Sequence, residues 1–242
     1  MLKRLAKIIK KEQFQPGILA LFTNPFYFAR RGLYRGMVEY GPFITGKTLD
    51  VGCGQRPYEH LVASKKYIGL ELDTPAARKM NKADLYYRGK RFPFRKGAFD
   101  SVMINQVFEH VFNPDEFLQE VNRVLKHGGR VLMTVPFVWD EHEQPHDYAR
   151  YSSFGLAWVL NKNGFKIVKQ KKSVNDIGIL FQLVNGFIYK KVETRFLLLN
   201  HLFYLFLIAP FNILGAFLTM ITPKSTDLYL DNILLAEKIR NA

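Results

Sequence analysis

Short apolar runs, each closed by a polar residue and a turn, recur through the middle of this chain. Thr48-Leu49-Asp50-Val51, Tyr67-Ile68-Gly69-Leu70-Glu71 and Ser101-Val102-Met103-Ile104-Asn105 are the clearest. The pattern predicts strands over 47–51, 66–71, 82–86, 100–105, 129–135, 165–171 and 228–236. Between them lie segments with helical spacing, most plainly Asp115 to Arg123. Strands alternating with helices imply a parallel, doubly wound α/β sheet.

The two flanks of this core have different patterns. In residues 2–11, Leu2, Leu5, Ile8 and Ile9 keep helical spacing among lysines and Arg4, predicting a short basic amphipathic helix of the kind that lies in a membrane interface. Its apolar run is too short and interrupted for a secretory signal. Asn24-Pro25 predicts a second helix through Met37, with Asn as N-cap and Pro at N1. These elements make 1–46 a basic N-terminal region ahead of a domain over 47–242.

Residues 196–222 contain no Lys, Arg, Asp or Glu, a length that suffices to span a bilayer. A single crossing is excluded if strands six and seven share one sheet, because both ends must then lie on one side. Pro210 and Gly215 fall near the middle of the run. Within an apolar insertion at about 176–224, the run therefore predicts a shallow interfacial helical hairpin. Two buried core helices are the plainer alternative.

Composition changes the picture in two ways. The formal net charge of +14 calls for an anionic partner, either nucleic acid or an anionic membrane face. The uncharged, aromatic-rich 196–222 favours the membrane, since single-stranded nucleic acid prefers basic grooves with isolated stacking aromatics. The one cysteine, Cys53, excludes an internal disulfide and fits a reducing compartment.

Candidate chemistry begins at Asp50-Val51-Gly52-Cys53-Gly54, a strand followed by a glycine turn, with Pro57 suited to a helix start. Such a turn lets backbone approach a ligand and offers free N–H groups. Position 57 is Pro where a dinucleotide fingerprint has its third glycine, which argues against NAD and for a nucleoside ligand without phosphate. Glu71 follows Gly54 by one helix and one strand, placed to accept from both ribose hydroxyls.

Phe92-Pro93-Phe94, Phe99-Asp100-Ser101-Val102, Phe108-Glu109-His110-Val111 and Arg123-Val124-Leu125-Lys126-His127-Gly128-Gly129 complete a series of motifs. In that order and spacing, residues 47–172 resemble the class I S-adenosylmethionine-dependent methyltransferases, in particular the type 11 group. The chain departs from that pattern at Arg56 (often Gly), at Phe92 for Leu and at His127 for Pro. The resemblance implies a Rossmann-like seven-stranded sheet with an antiparallel last strand, N-terminal helices acting as a lid, and S-adenosyl-L-methionine as cofactor. It implies that Asp50, Gly52 and Gly54 line the methionine and ribose portion and that Glu71 holds the ribose. Asp84 and the backbone of Leu85 would sit near the adenine amine, and Asn105 and Gln106 would border the methionyl group.

After strand five the loop reads His142-Glu143-Gln144-Pro145-His146-Asp147-Tyr148-Ala149-Arg150-Tyr151, over the carboxyl ends of the strands where open α/β sheets bind ligands. It resembles a motif in a subset of these methyltransferases. Glu143, Asp147, Tyr148, Arg150 and Tyr151 are the expected acceptor pocket, with His142 or His146 as base. A loop-stabilising cluster around Asp147 and Arg150 is the alternative. His142-Glu143-x-x-His146 also spells a zinc-protease signature, but Pro145 breaks the helix that signature needs. Some methyltransferases hold a divalent ion with Glu-x-x-Glu-His after strand four. Here Gln106 takes the first position, and no metal is expected.

The expected function is methyl transfer to an amphipathic or membrane-borne small molecule, lipid or glycan, at the cytoplasmic face of an anionic membrane. An RNA methyltransferase using the basic surface and a non-catalytic cofactor-binding docking module are the alternatives.

Overall fold

Seven strands form one sheet in the order β3-β2-β1-β4-β5-β7-β6, in a computed structural model that describes residues 11–242. The strands are β1 Thr45–Val51, β2 Ala63–Leu72, β3 Leu85–Tyr87, β4 Phe99–Asn105, β5 Leu125–Pro136, β6 Phe165–Ser173 and β7 Asp231–Lys238. The first five pair in parallel, and β7 runs antiparallel between β5 and β6. The helix expected over 2–11 falls, save for Lys11, outside the described residues.

The chain divides into two compact units. One comprises Gly36–Lys171 with Asn232–Ala242, the other the segment ending at Arg35 with Lys172–Asp231. The first holds the main core, where Leu49, Val51, Val102, Ile104, Val131 and Met133 are fully buried. Central strands covered on both faces become apolar nearly throughout, which is why β1 and β4 stood out in the sequence. Register places Asp50 opposite Gly69 and Asn105 opposite Thr134, so polar residues gather at the carboxyl ends.

Several boundaries differ from expectation: β2 begins at Ala63, β3 spans only Leu85–Tyr87 and β7 begins at Asp231, while three further differences have a clear physical reason. β5 starts at Leu125, not 129, because its first residue pairs with Phe99 before a bulge at the glycines. The register then jumps to Ser101 opposite Arg130, with Gly128 at φ +72°. The N-terminal helix runs Tyr27–Tyr40. Asn24 does not cap its first turn; its Oδ1 accepts from the Phe26 N–H at 2.9 Å, a turn ahead of the helix. Third, Lys238 extends β7 beyond 236 because its ammonium is buried, donating to the carbonyls of Asn122 and Leu125 at 2.7 and 2.9 Å. Those are orphan acceptors at the end of the helix Pro114–Val124.

In the second unit the helix Gly178–Val192 is followed by a continuous helical stretch over 197–221. This corrects the expected break within 196–222. Residues Tyr204–Ile208 form a π-helical turn, in which the Ala209 N–H reaches back five residues to the Tyr204 carbonyl. The wider turn accommodates Pro210 without ending the helix. Gly215 continues the helix too: a Cβ there would stand 2.7 Å from Phe28 and Phe181, so glycine is a contact point and not a break. The hairpin lies instead between the helix Gly178–Val192 and the 197–221 stretch. It closes where Asn200 accepts from the Thr194 N–H and donates to the Thr194 carbonyl, both at 2.8 Å.

Candidate active site

Asp50 ends β1 almost fully buried and accepts from the Tyr67 hydroxyl at 2.5 Å. Burial pushes its carboxyl up to about 7; the Tyr67 bond opposes that rise and the Glu71 charge adds to it. Gly52 and Gly54 follow at φ +69° and +47°, conformations that glycine adopts without steric cost. A Cβ on Gly52 would stand 2.4 Å from Cγ2 of Val107, whereas one on Gly54 would meet nothing within 4 Å. The turn is thus pressed against the exit of β4 on one side and open on the other, as a backbone cradle requires. Glu71 lies beside this opening, its carboxylate accepting from the N–H groups of Gly54 at 2.9 Å and Leu72 at 3.0 Å.

Cys53 inside the turn is buried, and burial first, then the nearby Asp50 and Glu71 charges, push its thiol up to about 12. That thiol is a packing group and not a nucleophile. Arg56, the departure from the usual glycine, sits at φ +53°. Its guanidinium compensates by pairing with Asp84, whose Oδ2 also accepts from the Gly69 N–H at 2.8 Å. Asp84 therefore ties the turn to β2, and Leu85 next to it starts β3 opposite Leu70. Asn105 and Gln106 are joined through Thr134: its hydroxyl donates to Asn105 Oδ1 at 2.7 Å and accepts from the Gln106 N–H at 3.1 Å. Gln106 has φ +54°, a strained position for a side-chain-bearing residue at a strand end.

The loop after β5 is pinned from within. Arg150 grips Asp147 through two bonds of 2.6 Å and donates to the carbonyls of Asp140 and Ala149 at 2.8 Å. The guanidinium bonds hold the Asp147 carboxyl far below the usual carboxylate range. Asp147 and Arg150 are thus spent on shaping the loop. Tyr151 packs on Phe108, ring centroids 5.0 Å apart, while Glu143, His146 and Tyr148 are exposed. His146 Nδ1 lies 3.1 Å from the Tyr148 hydroxyl.

His142 is turned inward. Its Nδ1 is 3.2 Å from Asp147 Oδ2, and its Nε2 is 3.9 Å from Oε1 of the fully buried Glu109. His110 Nε2 stands 3.8 Å from the same oxygen. Sequence reasoning considered Glu109 and His110 but not their meeting with His142, which lies 32 residues further on. Tyr67 and Arg56 were likewise missed as partners of Asp50 and Asp84. Tyr67 had a readable signal, since strand alternation places it opposite Thr48 and near the end of β1.

Comparison with known proteins agrees with this layout. Residues 49–133, from β1 through most of β5, match the family model described as a methyltransferase domain. Two uncharacterised proteins of Methanocaldococcus jannaschii are similar. MJ1123 is 25% identical over 53% of this chain and 69% of its own length, and MJ1252 is 26% identical over 73% and 64%. Among solved structures, the [4+2]-cyclase SpnF superposes with TM-score 0.54 at 18% identity, covering 84% of this chain and 79% of that one. Phosphoethanolamine N-methyltransferase 2 of Haemonchus contortus, solved with S-adenosyl-L-methionine, gives 0.53 at 17% identity, over 95% and 59%. A cyclase among the neighbours is a reminder that the fold alone does not fix the reaction. The family match falls on the segment that carries the glycine turn, the acid of β2 and the exit of β4, and with the shared fold it supports an S-adenosylmethionine-dependent methyltransferase.

Proposed function

We propose that this enzyme methylates an amphipathic, membrane-borne acceptor while attached to the cytoplasmic face of an anionic bilayer. The observation that supports the attachment is an inverted distribution of polarity in the unit containing the insertion. Leu198, Phe206 and Met220 are 76%, 69% and 74% exposed, and Leu197, Leu214, Phe217, Ile221, Phe187 and Ile18 are all exposed as well. The polar side chains face inward: Gln182, Asn185, Asn200 and Asn212 are buried. Asn212 donates to the carbonyls of Leu21 and Asn24 at 3.0 and 3.1 Å and accepts from Asn185 at 2.8 Å. Polar groups inside and apolar groups outside suit helices whose surroundings are lipid.

The 25 residues of 197–221 reach about 37 Å, enough to cross a bilayer. Two features favour an interfacial position. The two ends of the insertion meet, with the Ser173 hydroxyl donating to Asp231 at 2.6 Å and the Leu230 N–H to the Ser173 carbonyl at 3.1 Å. The hairpin tip carries Lys190, Lys191, Glu193 and Arg195, and each cation carried to the bilayer centre would cost about 2.5–3.5 kcal/mol. A hairpin lying flat keeps these charges in water and leaves the lysines available to anionic headgroups.

In the active site, Glu71 holds the ribose hydroxyls, the Asp50–Gly54 turn receives the methionyl portion, and Asn105 and Gln106 flank it. The acceptor enters past the loop 137–151, where the exposed His146 is the group placed to take a proton. The RNA alternative rests on the +14 charge. The experiment is flotation of the purified full chain with vesicles of anionic and of neutral lipid, and with RNA as competitor. Binding to anionic vesicles, weakened by Leu198→Asp with Phe206→Asp, is expected. A wild type that stays monodisperse without detergent and ignores vesicles would sink the reading, and tight RNA binding would replace it.

A further inference from the structure

We propose that Glu109, His110 and His142 bind a divalent transition-metal ion. One oxygen of Glu109 and one nitrogen from each imidazole lie within 4.8 Å of one another. The Glu109 Oε1 to Nε2 separations are 3.8 Å for His110 and 3.9 Å for His142. Ligands at about 2.0–2.1 Å around a tetrahedral ion stand roughly 3.3 Å apart, so completing the geometry takes about half an ångström of closure at each Glu109–imidazole pair and up to about 1.5 Å between the imidazoles.

The outer shell fixes which nitrogen is available. His110 Nδ1 lies 2.8 Å from the His146 carbonyl oxygen, which can only accept, so that nitrogen carries the proton and Nε2 bears the lone pair. His142 Nδ1 faces Asp147 Oδ2 at 3.2 Å and the Asp140 carbonyl at 3.3 Å. The Arg150 guanidinium at 3.4 Å is the more distant neighbour, and the two oxygen acceptors decide the tautomer. Both Nε2 atoms thus direct lone pairs toward the Glu109 carboxylate. Carbonyl- and carboxylate-bonded imidazoles of this kind are how proteins orient metal-binding histidines. Arg150 holds Asp147 in place through its two 2.6 Å bonds, so the loop that shapes the site also supports the ligand.

Two imidazoles and one carboxylate select zinc, manganese, iron or cobalt over magnesium and calcium, which prefer all-oxygen shells. Three protein ligands also leave a position for an exogenous oxygen, as in catalytic sites. Glu143 Oε2, 3.9 Å from His110 Nε2 on an exposed side chain, is placed to occupy or vacate that position. The ligands flank the exit of β4, one turn beyond Val107, which touches Gly52.

Use of the ion in catalysis rests on the methyl-transfer reading; its binding does not. An acceptor hydroxyl on the open position would be acidified by the ion. Its proton passes to His146 or water, and its oxygen bonds the methyl carbon. The carbon–sulfur bond breaks with its electron pair staying on sulfur, releasing the neutral thioether. This assigns the acceptor atom as oxygen.

The test is equilibrium dialysis of chelator-stripped full-length protein against Zn²⁺, Mn²⁺ and Mg²⁺, with visible absorption of the Co²⁺ form. One Zn²⁺ or Co²⁺ per chain and no stoichiometric Mg²⁺ are expected. His110→Gln with His142→Gln should weaken binding by more than 100-fold, and Asp147→Asn by about 10–100-fold. Binding of S-adenosylhomocysteine, measured on the same samples, separates loss of the metal site from loss of the fold or of the methyltransferase reading. If the double variant does not fold, His142→Gln alone must still change the Co²⁺ spectrum. No stoichiometric ion in the wild type, or uptake indifferent to these substitutions, overturns the site and leaves a histidine–carboxylate cluster sharing a proton.

Discussion

The two units of this chain differ most at their surfaces. Around β1, β4 and β5 the interior is Leu, Val, Ile, Met and Phe, and burial from water supplies the driving force. In the unit with the insertion, buried Gln182, Asn185, Asn200 and Asn212 bond backbone and one another while leucines and phenylalanines face outward. Beside the apolar cluster of Ala20, Tyr27 and Phe28, this interior also depends on hydrogen-bond satisfaction, and the proposed membrane attachment would give its apolar exterior a matching solvent.

The largest way to sharpen this contrast is a core truncation in the first unit. Phe99 is fully buried and stacks edge-on to Phe94 at 4.8 Å. Phe99→Ala should cost about 3–5 kcal/mol in denaturant unfolding. A cost near zero would mean that this core is as loosely determined as the surface of the insertion.

Asp50 probes the price of burying a charge in that same apolar unit. Its folded pKa of about 7 lies above the unfolded 3.8. Below pH 3.8 both states are protonated and the stability is fully present. As pH rises toward 7 the unfolded chain ionises first, so the contribution is lost, by at most roughly 4 kcal/mol. The stability difference between wild type and Asp50→Asn should therefore move against the wild type between pH 4 and 7. A sulfonium ligand favours the ionised carboxylate, so cofactor affinity in the wild type should rise over the upper part of the same window. A flat difference in calorimetry at several pH values would place the Asp50 carboxyl in a far wetter setting.

In the second unit the comparable damage comes from removing a polar group. Asn212→Ala leaves the Leu21 and Asn24 carbonyls without their donor and should cost about 1–3 kcal/mol. The loss should show in hydrogen exchange within 178–221 and hardly at β4. If Asn212→Leu instead stabilises the protein in water, the polar interior is not what holds these helices together.

The same division explains what could be read in advance. Strands in the first unit were legible because apolar runs ending in Asp50, Glu71 and Asn105 carry their own boundaries. The glycine turn was legible because glycine adopts its positive φ values without steric cost, but the helix expected from Pro57 is only the short 3-10 turn Glu59–Leu61. Less visible was anything decided by contact across the sequence. Pro210 reads as a break until a π turn absorbs it. Asp84 reads as a ligand-facing acid, and its pairing with Arg56, at a left-handed position, is visible only in the fold. Asp147 and Arg150 read as pocket residues, and that they also bond each other is invisible to charge density alone. His142 and Glu109 are far apart in the chain, and only folding brings them together.

The smallest expected effect on stability is the most informative about solvent. Phe206 and Phe217 are 69% and 54% exposed, so cutting them back removes little that is buried in the folded chain. In detergent-free buffer, Phe206→Ser with Phe217→Ser should change unfolding free energy by no more than about 0.5 kcal/mol for each site. Solubility should rise, since two large apolar groups leave an exposed patch. On anionic vesicles the outcome reverses. Each ring that enters the interface carries about 25 cal/mol per Å² removed from water, so the same substitutions should weaken partitioning by at least tenfold. Core residues follow the opposite rule, with large losses in buffer and none specific to lipid. Equal effects in buffer and on vesicles would return Phe206 and Phe217 to the ordinary behaviour of a soluble domain.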